Sequence, residues 1–312
     1  RQMCIRDSTI TSYMNPLVSY QYEPGSVMKI FSFASAIEEG LYDGNELYES
    51  GSIQVDSETI INDVDKTWGT ISFDTGFAYS SNVAATMLAF RLLENGEKKL
   101  PDYYDALGFG KKTGIELANE VSGDMEVVYK SELANSSFGQ GISVTPIQML
   151  QALSSMTNDG NIIKPYIVDK IVDSEGNVTY EGKRTVVNNV YSSQTVDKMH
   201  ELMHKMIYEG LSTAWQIEGL SMMGKTGTAQ IASPNGGYLT GEYDTIRSFA
   251  GIFPEEDPEY IVYVAARKVE GNSVKFANVV TDAIEEIAKH AKLTSETKET
   301  DLYEAHTFYI LE

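Results

Sequence analysis

The sequence predicts an α+β fold, with an antiparallel sheet flanked by helices. The chain is mostly helical first, a cluster of strands follows, and a closing helix ends the globular part. The first helix is expected over Ser26–Gly40, "SVMKIFSFASAIEEG", with Pro24-Gly25 as the turn before it and Gly40 as its stop. A second covers Ser81–Asn95, and a third runs from Thr145 to Asn158 with Pro146 in its first turn, where a missing N–H costs nothing. From Lys164 the pattern alternates and turns at Ser174-Glu175-Gly176-Asn177, which reads as a hairpin. Val196–Glu209 is helical in period. Strands are expected at Leu220–Ile231, Ser248–Phe253 and Tyr260–Arg267, and a closing helix at Phe276–Lys292.

Composition narrows the function. The 312 residues suffice for a sizeable core, and 42% hydrophobic with 22% charged residues is ordinary for a globular chain. A formal net charge of -21 argues against nucleic acid as a partner, because phosphate binding needs clustered Lys and Arg. The single cysteine, Cys4, excludes an internal disulfide or a thiolate metal cluster. No apolar run is long enough to cross a membrane, and no signal peptide is seen. Residues 1–8, "RQMCIRDS", read as translated sequencing-adapter DNA and are set aside as a non-native scar. Residues 9–292 form the expected domain and 293–312 a polar tail.

Three short motifs carry chemistry. Ser26 and Lys29 form S-x-x-K at the first turn of an apolar helix, so the two side chains share a face and the amine can reach the hydroxyl. A serine is a poor nucleophile until a base takes its proton, and a lysine serves only if burial or a neighbouring cation depresses its pKa. Ser80-Ser81-Asn82 forms S-x-N at the start of the next apolar helix; taken singly it reads as an N-cap. Lys225-Thr226-Gly227-Thr228 lies on an expected strand whose edge can grip a carboxylate and pair with an extended peptide. Second copies of each motif occur. Ser295–Lys298 lies in the charged tail, Ser233-Pro234-Asn235 in a turn-rich loop, and Lys112-Thr113-Gly114 at a helix stop; these are read as incidental.

The order S-x-x-K, S-x-N, K-T-G resembles penicillin-binding proteins and serine β-lactamases. The surrounding segments "YEPGSVMK", "FGQGISVTPIQM", "GKTGTAQ" and "SFAGIFPEEDPEYIVYVAARK" resemble class B penicillin-binding proteins, the monofunctional peptidoglycan D,D-transpeptidases, from about Met14 to Lys292. The resemblance implies a penicillin-binding fold with an all-helical subdomain beside the sheet. By it, Ser26 attacks the penultimate D-alanine of a stem peptide and Lys29 is the base. Ser80 relays protons, held by Lys225. Asn82, Thr226, Gly227, Thr228 and Gln230 bind substrate, and the backbone N–H groups of Ser26 and Thr228 form the oxyanion hole. It implies no metal or organic cofactor, and β-lactam antibiotics as inhibitors. It places the enzyme at the extracytoplasmic face of the cytoplasmic membrane, with divisome or elongasome proteins as partners.

Two departures from that family's pattern matter. Ser26 stands too early for the strands, pedestal and membrane anchor that precede S-x-x-K in relatives. The chain is therefore expected to be an N-terminally truncated fragment whose sheet keeps three strands, with Tyr260–Arg267 an unpaired, aggregation-prone edge. Activity would then rest with the parent protein, and the fragment itself could be inactive. Three other readings are open. His200-Glu201-Leu202-Met203-His204 matches the zinc-protease H-E-x-x-H, against the reading that Val196, Met199, Met203 and Met206 form a buried stripe with the histidines beside it. A class D β-lactamase or β-lactam sensor domain shares two of the motifs but usually has an apolar residue in place of Asn82. A catalytically inactive division scaffold would need no intact motifs.

Overall fold

The computed structural model describes residues 14–293 apart from 64–66, 94–98 and 272. The scar and Cys4, the tail with Ser295–Lys298, and His306 lie outside the described residues. The helices are α1 (Pro16–Ser19), α2 (Lys29–Glu38), α3 (Phe73–Ala78), α4 (Asn82–Arg91), α5 (Lys99–Ala106), α6 (Lys130–Ser136), α7 (Pro146–Leu153), α8 (Ser193–Tyr208) and α9 (Ser273–His290). Two 3-10 turns, Gly25–Met28 and Ser154–Thr157, adjoin α2 and α7. The strands are β1 (Leu47–Glu49), β2 (Ser52–Gln54), β3 (Ile60–Asn62), β4 (Thr70–Ser72), β5 (Asn161–Ile163), β6 (Lys170–Val172), β7 (Val178–Glu181), β8 (Val186–Asn189), β9 (Met223–Gln230), β10 (Thr245–Phe253) and β11 (Tyr260–Arg267).

Local chemistry sets most helix starts. Ser81, Ser72 and Ser192 cap α4, α3 and α8, their side chains accepting from backbone N–H groups three residues on. Thr145 and Gln148 form a capping box at α7, with Pro146 at its first position. α2 is buried from Lys29 to Ala36, so it is a core helix rather than a surface amphipathic one. Both helices expected to run straight from their N-terminal motif are in fact split. Ser26 lies on a 3-10 turn that leads into α2, and the expected Thr145–Asn158 helix is α7 followed by the second 3-10 turn.

The main sheet is antiparallel in the order β11-β10-β9. Three strands therefore make up this sheet among the described residues, as expected, and β11 and β9 are its edges. β11 is partly covered, since the Tyr22 hydroxyl lies 2.6 Å from that of Tyr263. Phe249 of β10 stacks on Trp215 at 4.2 Å, and Trp215 meets Phe276 of α9, which closes one face of the sheet. Gly227 and Ser248 pair across β9 and β10 and turn to the opposite face, against Val27 and Pro24 of the Ser26 turn. The sheet thus lies between α9 and the segment that carries Ser26.

The helical half is not all-helical. It carries the short pairs β1/β4 and β2/β3, each of three residues per strand and too short to leave a period in the sequence. The hairpin expected from Ser174 to Asn177 is β6/β7.

Candidate active site

The site is assembled from the 3-10 turn, the start of α4 and the edge strand β9. Gly25 adopts φ +62, and a Cβ there would lie 2.9 Å from the Thr228 carbonyl oxygen. Gly139 adopts φ +78 and packs back on Gly25, whose N–H donates to the Gly139 carbonyl at 3.0 Å. Only glycine tolerates both the backbone geometry and the approach, so the turn is pressed onto β9 and Ser26 is set beside Thr228.

Lys29 is fully buried and Ser26 is 9% exposed. The Lys29 Nζ lies 3.0 Å from Ser26 Oγ, 2.5 Å from the Ser80 carbonyl oxygen, 2.7 Å from Asn82 Oδ1 and 3.3 Å from Ser80 Oγ. A neutral amine has two N–H donors and one lone pair. The Ser80 carbonyl and the Asn82 amide oxygen can only accept, so they take both donors, and the lone pair is left for the Ser26 proton. That is the protonation state a base requires.

The electrostatics favour it. Burial pushes the Lys29 ammonium well below its usual pKa, the charge of Lys225 lowers it further, and Asp63 opposes both. Lys225 is also fully buried, and burial lowers its pKa to about 7. Its Nζ donates to Ser80 Oγ at 2.8 Å and to the Thr226 carbonyl at 3.1 Å. Ser80 Oγ therefore lies between two amines. The rings of Phe138 and Phe77 wall the two lysines at 6.0 and 5.7 Å.

Ser80 holds φ +63, a strained value for a residue with a Cβ, and it is this turn that aims both its carbonyl and its hydroxyl at the lysines. The N-cap reading of Ser80-Ser81-Asn82 resolves residue by residue. Ser81 caps α4, whereas Ser80 and Asn82 turn to the cleft. Asn82 Nδ2 donates to the Asn62 carbonyl at 2.9 Å, which fixes which end of the amide faces Lys29.

Thr226 and Thr228 pair with Phe249 and Arg247, so they project on the face opposite Lys225 and Gly227. Thr228 and Gln230 are exposed and Thr226 half-buried along the edge of β9. Gln230 Oε1 accepts from Gln140 at 3.4 Å. The structure thus gathers Ser26, Lys29, Ser80, Asn82 and Lys225 into one hydrogen-bonded cluster and lines the adjoining edge with Thr226, Gly227, Thr228 and Gln230. Sequence reading missed Asp63 and Asn62, which hold the start of α4 from 19 and 20 residues away; no local pattern marks such a contact.

The rival motifs lie elsewhere. Thr113 donates to Glu120, and Ser233–Asn235 forms a turn closed by Asn235 N–H to Ser233 Oγ. In the H-E-x-x-H segment of α8, Val196, Met199, Met203 and Met206 are buried as the stripe reading expects. His200 Nε2 faces the Met156 carbonyl at 2.6 Å, His204 pairs with Glu255, and Glu201 with Lys198. Among the described residues no three His, Cys, Asp or Glu side chains are placed to share a metal. No described helix is long and apolar enough to cross a membrane.

A buried lysine of low pKa makes stability depend on pH. The unfolded chain keeps its lysines protonated to about pH 10.4, so between about 7 and 10 it binds more protons than the folded chain, and stability attributable to Lys225 rises with pH. Lys225→Met is expected to stabilise the chain at pH 7. That gain should shrink by about 1 kcal/mol per pH unit toward pH 10, read by denaturant unfolding of both proteins across that range.

Residues 5–285 match the family described as the penicillin binding protein transpeptidase domain. Stage V sporulation protein D of Bacillus subtilis is 34% identical over 274 residues, which are 84% of this chain and 41% of that protein. PbpB of Mycolicibacterium smegmatis is 32% identical over 265 residues, 80% of this chain and 39% of that one. The chain thus spans about two fifths of the length of these curated relatives. Penicillin binding protein 3 of Mycobacterium tuberculosis superposes with a TM-score of 0.83 at 28% identity, covering 93% of this chain and 68% of that chain, and has also been solved with aztreonam and with ampicillin. Penicillin binding protein 2X of Streptococcus thermophilus gives 0.81 at 32% identity, covering 95% and 46%.

Proposed function

This chain belongs to the penicillin-binding protein transpeptidase family, and on that premise we propose that it is the catalytic part of a class B peptidoglycan D,D-transpeptidase. The observation that supports this most is the pair of buried, charge-starved lysines on either side of Ser80, with the lone pair of Lys29 left for Ser26.

The steps follow from that arrangement. Lys29 takes the Ser26 proton as Oγ attacks the penultimate D-alanine carbonyl of a stem peptide. The backbone N–H groups of Ser26 and Thr228 receive the oxyanion; losing one such donor typically costs ~10²–10³ in rate. The C–N bond then breaks, and the departing amine of D-alanine takes a proton from Ser80 Oγ, which Lys225 or Lys29 replaces. Asn82 positions the substrate amide, and the terminal carboxylate is held at the open edge of β9, where Thr226 and Thr228 flank Gly227 beside Gln230. The amine of a second stem peptide attacks the acyl-enzyme, gives up a proton along the same path and restores Ser26. In a β-lactam the leaving nitrogen is tied into the acyl group by the opened ring, so it cannot depart and Ser26 stays blocked. No step calls for a metal or organic cofactor. In the longer protein the site would work on the outer face of the cytoplasmic membrane, with divisome or elongasome proteins as partners.

The test is labelling with a fluorescent penicillin followed by a chase with unlabelled drug. The expected result is a covalent label on the wild-type chain that outlasts the chase and is absent from Ser26→Ala. Rapid turnover of the label would favour a β-lactamase instead, and no labelling of the wild type would remove the enzymatic reading of this chain.

A further inference from the structure

We propose that Asp63 is a positioning residue of this site, whose carboxylate clamps the start of α4 and so holds Ser80 and Asn82 on Lys29. The inference rests on the acylation reading above. Asp63 is 7% exposed, in the loop after β3. One carboxylate oxygen accepts from Ser81 Oγ at 2.9 Å, from Asn82 N–H at 2.7 Å and from Val83 N–H at 3.1 Å. The other accepts from Gly51 N–H at 2.9 Å, and the Asp63 N–H returns a bond to the Gly51 carbonyl at 2.9 Å. The preceding residue, Asn62, holds the Asn82 side chain through its carbonyl. Two successive residues therefore grip Asn82 by backbone and by side chain. Ser80, directly before the clamped segment, is kept in the left-handed turn that points its carbonyl at Lys29.

Asp63 also acts through charge. The groups facing Lys29 among the described residues are Ser26 from the 3-10 turn, Lys225 from β9, Ser80 and Asn82 at the start of α4, the Phe138 ring, and Asp63. Asp63 is the one acid in that set, and it raises the Lys29 pKa against the combined effect of burial and Lys225. Without it Lys29 would shed its proton more readily and be a weaker base. The acidic limb of the acylation profile, where Lys29 becomes protonated, would then move to lower pH while the plateau falls.

Three variants of the full chain test this: Asp63→Asn, which keeps the shape and the oxygen facing α4 but removes the charge and the acceptor for Gly51 N–H; Asp63→Ala, which removes all of these; and Ser81→Ala, which loosens the cap but keeps the charge. Acylation by a fluorescent penicillin is followed against pH, and Lys29 is titrated directly by NMR of ε-labelled lysine. In Asp63→Asn the expected result is a limb and a Lys29 midpoint lower by about one pH unit and a plateau about tenfold down. Asp63→Ala should lie about a hundredfold down, and Ser81→Ala should leave the limb in place. An unmoved limb and midpoint in Asp63→Asn, or the same profile in Asp63→Asn and Ser81→Ala, would overturn the proposal. The NMR titration uses no penicillin. A wild-type chain that titrates Lys29 low yet is not acylated would refute the enzymatic reading, while the Asp63 variants would still decide the role of Asp63 on Lys29.

Discussion

Lys29→Met is expected to slow acylation of Ser26 by a penicillin roughly a thousandfold while the chain stays folded. Methionine is unbranched and close to lysine in volume, so it fills the same space between Phe138 and α4 without leaving a large cavity. Two effects on stability oppose each other. A buried amine is removed, which is favourable, but the Ser80 carbonyl and Asn82 Oδ1 lose their donor, which costs about 1–3 kcal/mol per orphaned group. The rate has no such compensation, because the only other amine in the cluster, Lys225, faces Ser80 rather than Ser26. Stopped-flow acylation beside a thermal melt separates the outcomes. A variant that melts near the wild type but acylates as fast would show that Lys29 is not the base.

Gly139→Ala should be a highly damaging single methyl for the active site. A Cβ at this position would lie 2.2 Å from the Gly25 carbonyl oxygen and 2.6 Å from the Gly25 nitrogen, both backbone atoms that cannot swing aside, and φ +78 adds strain for any L side chain. The Gly25 N–H to Gly139 carbonyl bond would break as the loop moves away. The expected cost is about 3 kcal/mol or more in denaturant unfolding. Acylation should fall at least about a hundredfold, since a 1 Å displacement of a reacting group can cost that much on its own. Gly40→Ala is the control: it also has positive φ, +67, but nothing lies within 4 Å of its Cβ. It should lose only about 1–2 kcal/mol and keep its acylation rate.

How much of this was legible in the sequence depends on the range of the interaction concerned. β11 spans Tyr260–Arg267 as expected, because the run of β-branched and aromatic residues that opens it, Tyr260 to Val264, is a local feature. The motif residues were found for the same reason. Their convergence was inferred from a family likeness, whereas the donor count at Lys29 depends on a backbone carbonyl, that of Ser80, which no side-chain pattern encodes. The short helices α3, α5 and α6 went unseen because six to eight residues hold too few turns to display a period. α3 nevertheless carried a cap signal, Ser72 followed by Asp74 in the first turn. Asp63 left no signal at all, since its partners at Gly51 and Ser81–Val83 are joined to it only by the fold.

Peptide-mapped mass spectrometry of the chain after reaction with benzylpenicillin measures most directly whether the serine hydroxyl of the 3-10 turn is the nucleophile. The account predicts one adduct bearing the full mass of the drug, on the peptide that contains Ser26, and none in Ser26→Ala. An adduct on Ser80 or on any other residue, with Ser26 unmodified, would contradict it.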